Sequence, residues 1–259
     1  MTRIRIMGLC LVAVFAMAAV AAASASATPT YYECAKAAKV GKTYTGNSNN
    51  STCTEANAKG EGKYNLQPGR GKNKAFKGKG GAATLHTPAV GGIVECGASK
   101  DEGFVSSSLT GQEKVKVTFT KCKSQSKACN SPGAKSGEIK TNPLGGTLGY
   151  ISKTGPVVGI SLTGEGGLPS AQFECGTGAG ALKIVTTGAV IGEITGDINA
   201  ISKEATDSFS VTGGGLQSVT SFEGGPTEVL ESSINGSPEL ESGEATTTVN
   251  KGEALEIKA

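Results

Sequence analysis

The chain has 259 residues, 39 of them glycine, with no tryptophan, a single histidine and a formal net charge of +3. One histidine excludes histidine-rich metal centres. Aromatic residues at 5% leave few platforms of the kind sugar-cleaving enzymes use to stack rings.

Residues 1–27 read as a secretory signal peptide, with Arg3 and Arg5 as the basic start, an uncharged apolar run from Ile6 to Ala22, and Ala25-Ser26-Ala27 as the cleavage site. The run is short and its tail is alanine and serine, which argues against a retained membrane anchor. Arg3 and Arg5 are not adjacent, and Cys10 lies early in the run behind Leu9, so neither a twin-arginine nor a lipoprotein signal is expected. Cleavage would leave Thr28 as the first residue and the protein outside the cytoplasm, secreted or at the cell surface. No transmembrane anchor is expected after cleavage.

Seven cysteines become six when Cys10 leaves with the signal: Cys34, Cys53, Cys96, Cys122, Cys129 and Cys175. An even set in an exported protein predicts three disulfides, among 15 possible connectivities. Proximity and matching contexts (Glu95-Cys96-Gly97 and Glu174-Cys175-Gly176) predict 34–53, 122–129 and 96–175. No CxxC pair exists, so zinc and other metals are not expected.

Residues 28–66 read as a small, basic, disulfide-closed module. Residues 67–81, QPGRGKNKAFKGKGG, read as a Gly/Lys-rich linker or exposed basic loop. Within it Arg70, Lys72, Lys74, Lys77 and Lys79 are candidate polyanion contacts. Between Glu33 and Gly80 ten bases face three acids, a balance of +7; from Ala200 onward three bases face ten acids, a balance of −7. The basic end therefore has three conceivable counterparts: an anionic polymer, the acidic end of its own chain, or that of a neighbour.

From 82 to 259 short strand-like runs alternate with glycine-rich turns such as Gly145-Gly146, Gly213-Gly214-Gly215 and Gly224-Gly225-Pro226. In Lys114–Thr120, Val115, Val117 and Phe119 fall on one face and lysine and threonine on the other, the pattern of a half-buried antiparallel strand. The expected class is all-β: an antiparallel β-sandwich or barrel-like domain preceded by the small N-terminal module. A parallel solenoid would need a fixed repeat, and none is visible.

No catalytic set emerges. Val40-Gly41-Lys42-Thr43 ends like a phosphate loop, but Lys36 stands where the first glycine is required. His86 is the one histidine for a Ser-His-Asp arrangement, and no G-x-S-x-G elbow accompanies it. Asp101, Asp197 and Asp207 are isolated and form no calcium loop. No cofactor is implied.

Four segments, Thr118–Cys122, Gly137–Leu144, Gly149–Ile151 and Phe222–Pro226, together with the Tyr-x-Cys…Gly-x-Tyr opening of residues 32–64, carry a resemblance over most of the chain after residue 27. They resemble a large paralogous family of secreted, β-rich proteins of soil actinobacteria of the Solirubrobacter type. The resemblance implies bacterial export and a β-rich fold, and no activity. The expected function is a non-enzymatic secreted or surface binding or structural protein, docking on an anionic cell-wall polymer through its basic N-terminal part. Nucleic acid is not an expected partner of an exported protein. The alternatives are a secreted hydrolase with a carboxylate pair and a self-assembling surface protein.

Overall fold

A computed structural model describes residues 28–69 and 74–259. The expected signal segment, Arg70 and Lys72 lie outside the described residues. The fold is all-β, as expected. Seventeen strands belong to one continuous antiparallel sheet, and β2 (Lys39–Val40) with β3 (Thr43–Tyr44) form a separate hairpin.

The sheet closes on itself twice. The first ring runs β5 (Lys74–Gly80), β8 (Ala98–Val105), β9 (Gly111–Thr120), β13 (Leu144–Ser152), β14 (Val157–Gly164), β16 (Leu182–Thr195), β17 (Ser202–Phe209), β19 (Leu240–Lys258) and back to β5. The second runs β6 (Ala83–Thr87), β7 (Gly92–Cys96), β10 (Lys123–Ser124), β11 (Lys127–Asn130), β15 (Ala171–Cys175), then β16, β18 (Leu230–Ile234), β19 and back to β6. Closure removes the exposed sheet edges that invite aggregation.

Two strands are common to both rings. β16 pairs through 182–188 in the second ring and through 189–195 in the first. Gly188 sits at the changeover with φ +73°, and a Cβ there would come within 2.1 Å of the Val229 carbonyl oxygen. Only glycine takes both that backbone and that approach. β19 makes the same change between Ala245 and Thr246. β12 (Glu138–Lys140) extends the first sheet by pairing with the end of β9.

Each ring has its own core. Val115, Leu148, Val158, Ile160, Ile194 and Ile257 fill the first, while Val94, Ile139, Phe173, Ile184 and the four ring cysteines fill the second. The alternation read in β9 holds, since Val115, Val117 and Phe119 all face the interior.

The N-terminal region holds the predicted Cys34–Cys53 disulfide. Its β1 (Thr30–Lys36) pairs with β4 (Tyr64–Pro68) on one side and with the end of β19 on the other. Tyr31 of β1 is 4% exposed and belongs to the first core, where its hydroxyl oxygen accepts a hydrogen bond from Gln112 Nε2 at 3.3 Å.

Two expectations are corrected. The run 67–81, read as a linker, contains the barrel strand β5. Lys77 and Lys79 point outward while Phe76, Gly78 and Gly80 point inward, a period of two hidden by the lack of side chains at the glycines. The disulfides also differ: Cys96 bonds Cys122 and Cys129 bonds Cys175. Cys122 directly precedes β10 and Cys129 lies within β11, and the two arms of this hairpin pair with different outer strands. β10 lies beside β7 and β11 beside β15, so each cysteine reaches outward to its neighbour's terminal cysteine. The matched contexts of Cys96 and Cys175 do mark equivalent strand ends.

Candidate functional site

The basic residues predicted in the linker are split by the fold. Lys74 is turned into the molecule, with its ammonium 2.5 Å from both Glu33 and Glu253. Burial works against its charge, but the hydrogen bonds to Glu253 and Glu33 outweigh that and hold its pKa above the usual lysine value. Lys74 is thus committed to an internal ion-pair network that joins the basic and acidic ends of one chain.

Lys77 and Lys79 remain on the outer face of the first ring. Antiparallel register sets Lys77 between Lys251 and Glu102, and Lys79 between Val249 and Lys100. Glu102 in turn faces Lys116 on β9. All five lysines are exposed. The result is a lysine-rich patch across β19, β5, β8 and β9, interrupted by Glu102 and by the 2.5 Å pair of Lys251 with Glu204. Lys79 and Lys100 oppose each other directly, an arrangement that destabilises an antiparallel pair unless an anion lies over it.

The interior of the rings carries different chemistry. On β8, Asp101 stands opposite Gly78 of β5, which stands opposite Asn250 of β19. Gly78 has no side chain to separate them. The point where its Cβ would lie is 2.1 Å from Asp101 Oδ1 and 2.2 Å from Asn250 Oδ1. Asn250 donates from Nδ2 to Asp207 Oδ2 at 2.7 Å. One strand row away, Ser99, Gly80 and Thr248 repeat the pattern.

Asp101, Asp207, Thr248 and Asn250 line a cavity of about 100 Å³ that extends through both rings. Its walls are mostly apolar, with Val115, Leu144, Leu162 and Val190 from the first core and Val94 and Phe173 from the second. Its polar lining includes three acids, Asp101, Asp207 and Glu244, and none of the described lining residues is lysine, arginine or histidine. Asp207, Asn250 and Gln112 also line a second cavity of about 50 Å³ beside Tyr31 and Asp197, so they form the layer between the two.

Burial raises every one of these acids. Asp101 is pushed up to about 6, eased by the Gly78 backbone. Asp207 is pushed to about 7 by burial and then by the charges of Asp101 and Asp197, with Asn250 opposing. Asp197 also reaches about 7. Glu244 reaches about 7 from burial alone. Glu244 is half-buried and is one of the residues lining the cavity. The aspartates isolated in sequence are thus gathered by the ring. Parity is the signal that finds them: Asp207 is two residues from buried Phe209, and Asn250 continues the inward series Thr246, Thr248.

The remaining sequence candidates take structural places. His86 Nε2 lies 3.2 Å from Thr84 Oγ1 on the same strand. Gly41-Lys42 is the turn of the β2–β3 hairpin. Two of the segments that carry the resemblance meet: the Phe222 ring packs on Gly149, and the Glu223 amide donates to the Tyr150 carbonyl at 2.7 Å. Among the described residues no group of three or more His, Cys, Asp or Glu is arranged to hold a metal ion, and no helix is long and apolar enough to cross a membrane. The three disulfides are consistent with an oxidising, extracytoplasmic compartment. No protein-family model, curated protein or solved structure matches the chain.

Proposed function

We propose that this is a non-enzymatic secreted or surface-held binding protein that docks on an anionic wall polymer through the outer face of its first ring. The observation that carries the reading is the register of Lys251, Lys77, Lys79, Lys100 and Lys116 on four adjacent strands. Fixed strands hold these charges in place, so they meet a repeating polyanion without the ordering cost a flexible basic loop would bear. This replaces the linker as the contact: Lys77 and Lys79 stay in it, and Lys74 leaves it for Glu33 and Glu253.

The volume inside the rings weighs against the hydrolase alternative. A cavity of about 100 Å³ is well below the ~300–1,000 Å³ of ordinary ligand pockets. Self-assembly through opposite ends loses part of its motive, because Lys74 and Glu253 already neutralise each other within one chain.

The test is co-sedimentation of the purified protein with isolated actinobacterial wall material. Binding is expected at low salt and release by about 0.5 M NaCl, where the Debye length falls to a few ångströms. The variant Lys77→Glu/Lys79→Glu/Lys100→Glu, all exposed positions, is expected to stay in the supernatant. Binding that ignores both salt and these substitutions would remove the proposal.

A further inference from the structure

We propose that the interior of the double ring is a binding site for a small primary ammonium compound with an apolar body of a few carbons. The site is independent of the outer lysine face and lies on the other side of the same strands.

The argument begins with hydrogen-bond supply. Asp101 Oδ1, Asn250 Oδ1 and Thr246 Oγ1 are buried and have no partner in the protein. Asn250 and Thr246 are each only 8% exposed, and all three residues line the cavity. Buried polar atoms are almost always paired, and an unpaired one costs on the order of 1–3 kcal/mol. Asn250 Oδ1 accepts only, Asp101 Oδ1 accepts only once its carboxyl is ionised, and both converge over Gly78. The group that would satisfy them must bring donors.

Charge selects among donors. Asp101, Asp207 and Glu244 face the space, and none of the described residues lining it is cationic. A buried carboxylate without a counter-charge is costly, and here burial answers by raising the pKa of all three. An ammonium supplies three N–H donors and the missing charge together. An alcohol brings one donor and no charge, and a carboxylate would be repelled. A metal ion fits less well, since no group of three such ligands is assembled among the described residues.

Size and the remaining wall define the body. An engineered apolar cavity of ~150 Å³ holds benzene. The cavity here, about 100 Å³, suits a ligand of roughly four or five heavy atoms. Away from the Asp101–Asn250–Asp207 row its walls are mostly apolar, with valine, leucine and phenylalanine side chains that take an alkyl chain.

The experiment is an NMR titration of the oxidised protein at pH 8 with n-butylammonium chloride, 1-butanol and sodium butyrate. Saturable binding of n-butylammonium is expected, at least about tenfold tighter than 1-butanol, with butyrate weaker still. Amide shifts should centre on Asp101, Asp207 and Asn250. Asp101→Asn and Asp207→Asn keep the side-chain shape and are expected to weaken n-butylammonium about tenfold each. The proposal falls if n-butylammonium fails to saturate, binds no better than 1-butanol, or shifts only outer-face residues. It also falls if the folded double variant binds it like the unaltered protein. Should that variant not fold, the three-ligand comparison on the unaltered protein decides alone.

Discussion

Asn250 donates its side-chain amide to Asp207 Oδ2 at 2.7 Å inside the first ring, while its own carbonyl oxygen finds no partner. One side chain thus both satisfies a buried acid and adds an orphan acceptor next to Asp101. Burial makes each acid of this row harder to ionise in the folded chain than in the unfolded one, and stability follows from that.

The pH dependence is the first consequence. Asp101, Asp197, Asp207 and Glu244 all have folded pKa values raised above their ordinary values of 3.8 and 4.5. A raised acid holds its proton more tightly folded than unfolded. The stability this contributes is complete below about pH 4 and is lost as pH rises through about 6 to 7. Guanidinium unfolding at pH 4.5, 6 and 8 should show stability falling across the series and levelling above about pH 7.5. A rise over the same interval would contradict the burial of these acids.

Glu244 isolates that effect in a single group, because burial is the one cause of its shift. Glu244→Gln removes the ionisation and keeps the shape. It is expected to stabilise the protein by on the order of 1–3 kcal/mol at pH 8, and to change little at pH 4.5, where both side chains are neutral. Paired denaturation curves at the two pH values measure the difference.

The disulfides divide by ring. β7 and β10 share the single register pair Glu95–Lys123, and β11 and β15 share two pairs. Cys96–Cys122 and Cys129–Cys175 therefore close the second ring where its ladder is shortest, and they close spans of 26 and 46 residues. Replacing either pair by alanine is expected to cost about 2–4 kcal/mol, with hydrogen exchange accelerating in β6, β7 and β15 before β14. Loss of Cys34–Cys53 should leave those amides protected. Peptide mapping of the oxidised protein should yield 96–122 and 129–175 linked fragments.

Glycine at the inner face is testable by one methyl group. Gly78→Ala would place Cβ 2.1 Å from Asp101 Oδ1 and 2.2 Å from Asn250 Oδ1. The row must then shift, at an expected cost of about 2 kcal/mol or more. Gly81 has nothing within 4 Å of its Cβ position, so Gly81→Ala should be neutral or slightly stabilising. Thermal melts of the two variants side by side check the contrast.

The all-β class was legible from composition, turn glycines and the alternation in 114–120. β5 was not, because its inward positions after Phe76 are glycines and contribute nothing to a hydrophobic pattern. The disulfide pairing escaped for a related reason. Nearness in sequence pointed to Cys122–Cys129, but neighbours in a closed ring are set by strand order, and β10 and β11 each face a different outer strand. The lysine patch was half visible: Lys77 and Lys79 were found in the run, whereas Lys100, Lys116 and Lys251 join them only through register.

The sequence by itself determined the local things: cysteines that pair, strands that alternate, and a charge imbalance between the ends. These depend on residue type and on spacing of a few positions. Only the tertiary structure decided that Asp101, Asp207 and Asn250 share one interior row, and that Lys74 is occupied while Lys77 is free to meet solvent. The physical reason is register. Strands distant in the chain come to lie side by side, and a slip of one residue in β8 would turn Asp101 outward and bring its neighbour Lys100 or Glu102 inside.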